Sequence, residues 1–89
     1  MNLYDAFLLL SNRQECENFL KDLCTPKELK DFNDRWEIAK LLDEGRLSYR
    51  EIAEQTQASL TTITRVARFL KDEPYRGYRT LLDRMKQND

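Results

Sequence analysis

Histidine is missing from this chain altogether, and cysteine, glycine and proline occur only twice each. Each shortage closes off a class of function. Catalysis near neutral pH usually relies on a group that titrates there, and without histidine the task would fall to a carboxylate or lysine strongly shifted by burial. The acids sit mostly on the outer faces of the expected helices, where solvated charge is the plain reading, so no enzyme is expected. Cys16 and Cys24 stand eight positions apart with no second pair, which argues against zinc or a CxxC site and for two reduced, packed thiols. No glycine-rich loop exists to cradle a phosphate, and no cofactor is expected. No apolar run approaches the roughly 18 residues of a membrane span. The start, MNLYDAFLLLSNRQE, lacks the basic segment and small-residue cleavage site of a signal peptide. The expectation is a cytoplasmic protein with no membrane partner.

What is present is a helical composition: 40% hydrophobic and 35% charged residues in 89, with no low-complexity run. A chain this short makes one domain, residues 1–89, with a limited core, so a second copy is the expected source of further burial. Charge is distributed unevenly. Residues 1–44 carry 6 basic and 10 acidic side chains, net −4, whereas residues 45–89 carry 9 and 6, net +3. A basic half beside an acidic one suggests a face meant for an anion.

Apolar residues recur at helical spacing throughout, and no stretch alternates at period two for long. Leu3, Tyr4, Phe7, Leu8 and Leu10 span a first short helix, interrupted by Ser11 and Asn12. Asn12 and Glu15 form a capping-box-like start for a second helix carrying Cys16, Phe19, Leu20 and Leu23. Phe7, Leu8, Leu10, Phe19, Leu20 and Leu23 are too many large apolar residues for two short helices to hide in a monomer, which predicts a homodimer. Thr25, Pro26 and Glu28 then open a third helix through Leu29, Phe32, Trp36, Ala39 and Leu42, ended by a left-handed cap at Gly45. A last helix, after the breaker Pro74, holds Tyr75, Tyr78, Leu81, Leu82 and Met85.

Between these lies REIAEQTQASLTTITRVARFLK, Arg50 to Lys71. Ser48 and Glu51 cap one short helix, from Tyr49 to about Gln55, and Ser59 caps another, with Thr56, Gln57 and Ala58 between them and Ala53 at the crossing. That is helix-turn-helix geometry, with Gln57 at the turn position that usually holds glycine. At 100° steps, Leu60, Ile63, Val66, Ala67 and Leu70 share one face of the second helix, and Thr61, Thr64, Arg65 and Arg68 share the other. Hydroxyls and guanidiniums projecting together suit a major groove, where arginine pairs with guanine or phosphate. The start of each helix offers N–H groups, and Arg50 a cation, to the DNA backbone. A helical protein-interaction module, docking a partner through Phe69, Tyr75 and Tyr78, is the alternative.

The run LCTPKELKDFNDRWEIAKLLDEGRLSYREIAEQTQASLTTITRVARFLK resembles the tryptophan repressor superfamily, whose members share an "LTP-E" helix start, an "R-x-x-I-x-x-LL-x-G-x-x-S-x-RE-I/L" run and a "TITR" in the recognition helix. The likeness covers about residues 23–71. It implies an all-α, short-helix, intertwined homodimer, bacterial and regulatory, whose recognition helices, about residues 60–70, enter successive major grooves of a double-stranded DNA operator. By resemblance the DNA contacts fall to Arg50, Leu60, Thr61, Thr62, Thr64 and Arg65, with Arg68 added for phosphate attraction. Ala53 stands where the family's tryptophan sensor has a basic contact.

The same resemblance places a small-molecule effector between Arg35 and Arg65, with Thr25 near its carboxylate. Two positions depart from the tryptophan sensor: Val66 replaces a glycine and Phe69 replaces a serine that approaches the ligand's amino group. Both add apolar volume, and Trp36 places an indole of the protein's own in that neighbourhood. The chain therefore looks closer to the related uncharacterised regulators than to the tryptophan sensor, and tryptophan is not the expected effector.

Overall fold

The computed structural model describes residues 1–88, which form six α-helices and no strand. They are α1 (Leu3–Leu9), α2 (Arg13–Leu23), α3 (Pro26–Glu44), α4 (Tyr49–Thr56), α5 (Leu60–Lys71) and α6 (Gly77–Gln87). The fold is all-α, as the periodicity predicts. Among the described residues no helix is long and apolar enough to cross a membrane. Packing divides the chain into two compact units, Met1–Asp31 and the remainder from Phe32 on.

In the first unit, local hydrogen bonds set each helix start. Asn2 and Asp5 cap α1 reciprocally, at 3.0 and 3.1 Å. The Asn12 side chain accepts the Glu15 N–H at 2.9 Å, but the Glu15 carboxylate reaches one residue further back, to the Ser11 N–H at 2.8 Å. Thr25 and Glu28 form the full box expected for α3, at 2.9 and 3.1 Å. Phe7 and Phe19 meet edge to face, 5.4 Å between centroids. Nothing in α1 or α2 is buried, and Tyr4, Leu8 and Leu9 are 78%, 84% and 65% exposed. Cys16 is exposed as well, so only the half-buried Cys24 approaches the packed thiol expected of both.

In the second unit a single cluster joins Ile38, Ala39, Leu41 and Leu42 of α3 to Ile52 of α4 and to Ile63, Val66 and Ala67 of α5. The stripe on α3 matches the expected one in part. Ala39 and Leu42 join the cluster and Trp36 packs against it, but Ile38 and Leu41 are buried beside them, because spacings of three and four fit more than one set of apolar residues on this helix; Phe32 is left 46% exposed. Gly45 ends α3 at φ 74°, as expected. Leu60, assigned to the core face of α5, is instead 54% exposed: it is the first residue of the helix and borders an open hollow beside α4 rather than the buried cluster. Of the apolar residues expected on α6, only Leu82 is buried.

Asp43 supplies the tie between α3 and α6. It is the exception to the expectation that acids lie outward: its side chain is 14% exposed and accepts Arg79 Nη1 and Lys86 Nζ, both at 2.9 Å. The Arg79 hydrogen bond chiefly, and then that from Lys86, holds the carboxyl below its ordinary 3.8. The folded state thus favours the ionised form. The resulting stabilisation is complete above the ordinary carboxylate range and is lost as pH falls through the lowered value. Asp43→Asn is expected to cost about 1 kcal/mol at pH 7, roughly 4–8 °C in thermal midpoint, and to flatten the acid limb of the stability curve. A midpoint that stays put in a calorimetric pH series would show that apolar packing, through Leu82 and the Tyr78–Trp36 stack, docks α6 without the ion pairs.

Candidate nucleic-acid interface

The α4–α5 pair is built by its caps and its turn. Ser48 and Glu51 cap α4 reciprocally, at 2.9 and 3.1 Å. The hydrogen bond from the Ser48 N–H chiefly, and then the nearby Ser48 side chain, hold the Glu51 carboxyl below its usual value. At the other end Gln57 takes the left-handed conformation, φ 64°, at the position where glycine is usual. Neighbouring bonds hold it there: its N–H donates to the Ala53 carbonyl at 2.9 Å and its side-chain amide to the Glu54 carbonyl at 2.9 Å. Thr56 donates its hydroxyl to the Ile52 carbonyl at 2.7 Å and accepts the Ala58 N–H at 3.3 Å. The turn, Gln57 to Ser59, is therefore rigid without glycine.

Ser59 caps α5 by accepting the Thr62 N–H at 3.1 Å. Ile63, Val66 and Ala67 bury one side of the helix, so Leu60, Thr61, Thr64, Arg65 and Arg68 are left on the other, where they line an open concavity. A second concavity on the far side of Leu60 is lined by Arg50, Ala53, Glu54, Gln57 and Ala58. Six of the seven residues expected to touch DNA are thus exposed and adjoin these two hollows; Thr62 is half-buried, its hydroxyl 3.0 Å from that of Ser59. Arg50 has no ion pair among the described residues, whereas Arg68 is held 3.4 Å from Glu73.

Beside α5 lies a cavity of about 360 Å³. Arg35, Arg65, Val66 and Phe69, four of the five residues assigned to an effector pocket, line it together with Tyr75, Gly77, Tyr78 and Leu81. Val66 and Phe69 reduce the space without closing it. The Arg65 guanidinium lies 4.4 Å from the Phe69 ring centroid, and Tyr75 stacks on the same Phe69 ring at 6.3 Å. Thr25 belongs to the first unit and is not in the lining; its hydroxyl accepts the Glu28 N–H. Trp36 stays off the wall too, stacked on Tyr78 at 6.4 Å. The walls contributed by Tyr75, Tyr78 and Leu81 were visible in the sequence only as helix-spaced apolar residues, with nothing to assign them to a cavity.

The model of the Trp repressor protein family matches residues 1–86. The chain belongs to that family. It is 38% identical over 87 residues to the uncharacterised protein YerC of Bacillus subtilis, covering 98% of this chain and 82% of YerC. A Trp operon repressor homolog of Chlamydia trachomatis is 40% identical over 72 residues, which is 76% of this chain and 77% of that one. Among solved structures, a TrpR-like protein of Eubacterium eligens superposes with a TM-score of 0.86 at 39% identity, covering 94% of this chain and 84% of that one. Membership of the Trp repressor family suggests a DNA-binding regulator of transcription.

Proposed function

We propose that this protein is a sequence-specific, DNA-binding transcriptional regulator that acts as a homodimer, with α5 entering the major groove. The observation that carries the reading is the exposed face of α5, where Leu60, Thr61, Thr64, Arg65 and Arg68 flank a rigid turn beside an unpaired Arg50. Thr62, half-buried, contributes from the edge of that face. The apolar surface of α1 and α2 supports the second copy, since large exposed apolar areas mark interaction sites.

Selection from a random duplex pool tests the proposal. The winning site is expected to be a near-palindrome with half-sites about 34–36 Å apart. Arg50→Ala is expected to weaken binding to it by roughly 1–3 kcal/mol, if the arginine pairs bidentately with guanine. Arg68→Ala should act about equally on selected and random DNA, as a phosphate contact does. The competing reading, a helical protein-interaction module, is favoured by Tyr75 and Leu81, 78% and 53% exposed. Salt separates the two, because phosphate contacts weaken steeply with ionic strength and aromatic docking hardly changes. Equal, salt-independent binding by wild type and both variants would leave the interaction module standing.

The cavity is the candidate effector site, and tryptophan is a poor occupant for it. Two guanidiniums line it and no carboxylate does, so the ammonium of an amino acid would be desolvated without a partner, at a cost of several kcal/mol. With about 1.4 kcal/mol per tenfold, affinity should fall by orders of magnitude. Millimolar tryptophan is therefore expected to leave a gel-shift titration unchanged. Micromolar heat of binding in calorimetry, or DNA affinity that emerges only with the amino acid, would overturn this.

A further inference from the structure

The hydroxyls of the reading helix are not free in the way its sequence suggests. Thr64 Oγ1 donates its one proton to the Leu60 carbonyl, 2.8 Å away, so the side chain has no hydrogen-bond donor left for a base edge. The Thr62 hydroxyl lies 3.0 Å from that of Ser59, with which it shares a hydrogen bond. Thr61 keeps its hydroxyl on the exposed side, and what the positions around it offer between the arginines is carbon. Leu60, more than half exposed, sits between the two concavities and lines both, and Thr64 lies one turn further along the same face with its methyl as the branch not bonded to the helix. Ala53 adds a third apolar group from α4. Around this apolar strip stand three cations, Arg50, Arg65 and Arg68, the last of them 3.4 Å from Glu73, against one acid in the lining, Glu54.

An exposed leucine within a basic frame needs a partner that is anionic at its edges and apolar at its centre. The major groove meets that description at thymine, whose 5-methyl is the apolar group that its base edges present there. Resting on the DNA-binding reading above, we propose that Leu60 and Thr64 recognise thymine methyl groups, so that specificity at the centre of each half-site comes from apolar contact more than from hydroxyl hydrogen bonds.

The test uses the duplex selected by the wild-type protein, resynthesised with deoxyuridine in place of thymidine at one position at a time, which removes only the methyl. One or two positions in each half-site should show a loss of about fourfold, the value of one buried methyl group. Thr64→Ser retains the hydroxyl and lacks the methyl, and at one of those positions it should bind thymine and uracil duplexes equally; Leu60→Ala should do so at another. The uracil series with wild-type protein needs no variant to fold. Tight binding that is indifferent to uracil at every position, or a selected half-site without thymine, would overturn the proposal while leaving the DNA-binding reading intact. If no duplex is bound better than random DNA, both fall together.

Discussion

Phe7→Glu combined with Leu8→Glu is expected to separate the proposed dimer and to lower operator affinity by roughly a hundredfold or more. Neither helix of the first unit buries a single residue within its own chain, and Leu8 is 84% exposed. Large exposed apolar patches of this kind mark interaction sites. Two glutamates placed there would each have to lose their hydration without a compensating cation. A dimer that grips two half-sites makes the second contact effectively intramolecular, which is worth a factor of about 10²–10⁴ over a single head. Sedimentation of the wild type should give a dimer at micromolar concentration with a thermal midpoint that rises with concentration. A folded wild-type monomer with a fixed midpoint would end the dimer model.

Ile63→Ala is expected to cost about 2–5 kcal/mol and at least 10 °C or so of thermal midpoint, a large share of the stability of a small domain. Ile63 is fully buried in the cluster that fixes α5 against α3 and α4. Little in such a core can collapse to fill the space, so the penalty includes a cavity as well as lost transfer energy. Loss of DNA binding should accompany it, because the same residue orients the reading face. Thr61→Ala, on the exposed side, should stay within about 0.5 kcal/mol of wild type in stability. A denaturant series that gives the two variants equal midpoints would contradict the burial pattern.

The parts of this fold that the sequence discloses are those set by neighbours three or four residues apart. Thr25 with Glu28, and Ser48 with Glu51, are legible because a cap needs only one hydroxyl, one carboxylate and the right offset. Gln57 is legible for a related reason: a three-residue turn between two helices requires a left-handed residue somewhere, whichever side chain it carries. Pairings over long separations are not. Asp43 and Arg79 are 36 residues apart, and no local pattern connects them. The α3 stripe is legible only in part, at Ala39 and Leu42, because spacing alone does not say which apolar set faces the neighbouring helices. At the candidate site, the exposed face of α5 follows from helical periodicity, but grouping Arg35 with Arg65 needed the family resemblance. The direction of the Thr64 hydroxyl depended on a rotamer, which a sequence does not specify.

Arg65 occupies a singular position, since its side chain lines both the cavity and the open hollow on the exposed face of α5. A guanidinium has one set of donors, and a ligand that engages them inside the cavity changes what remains for a phosphate or base outside it. The two surfaces therefore share one chemical resource, and thermodynamic linkage makes the sharing mutual: whatever factor a cavity ligand imposes on DNA affinity, DNA imposes on that ligand. A molecule that binds more weakly in the presence of the selected duplex would in this way reveal itself as an effector that releases DNA before any gene under its control were known, and one that binds more tightly as an effector that promotes DNA binding.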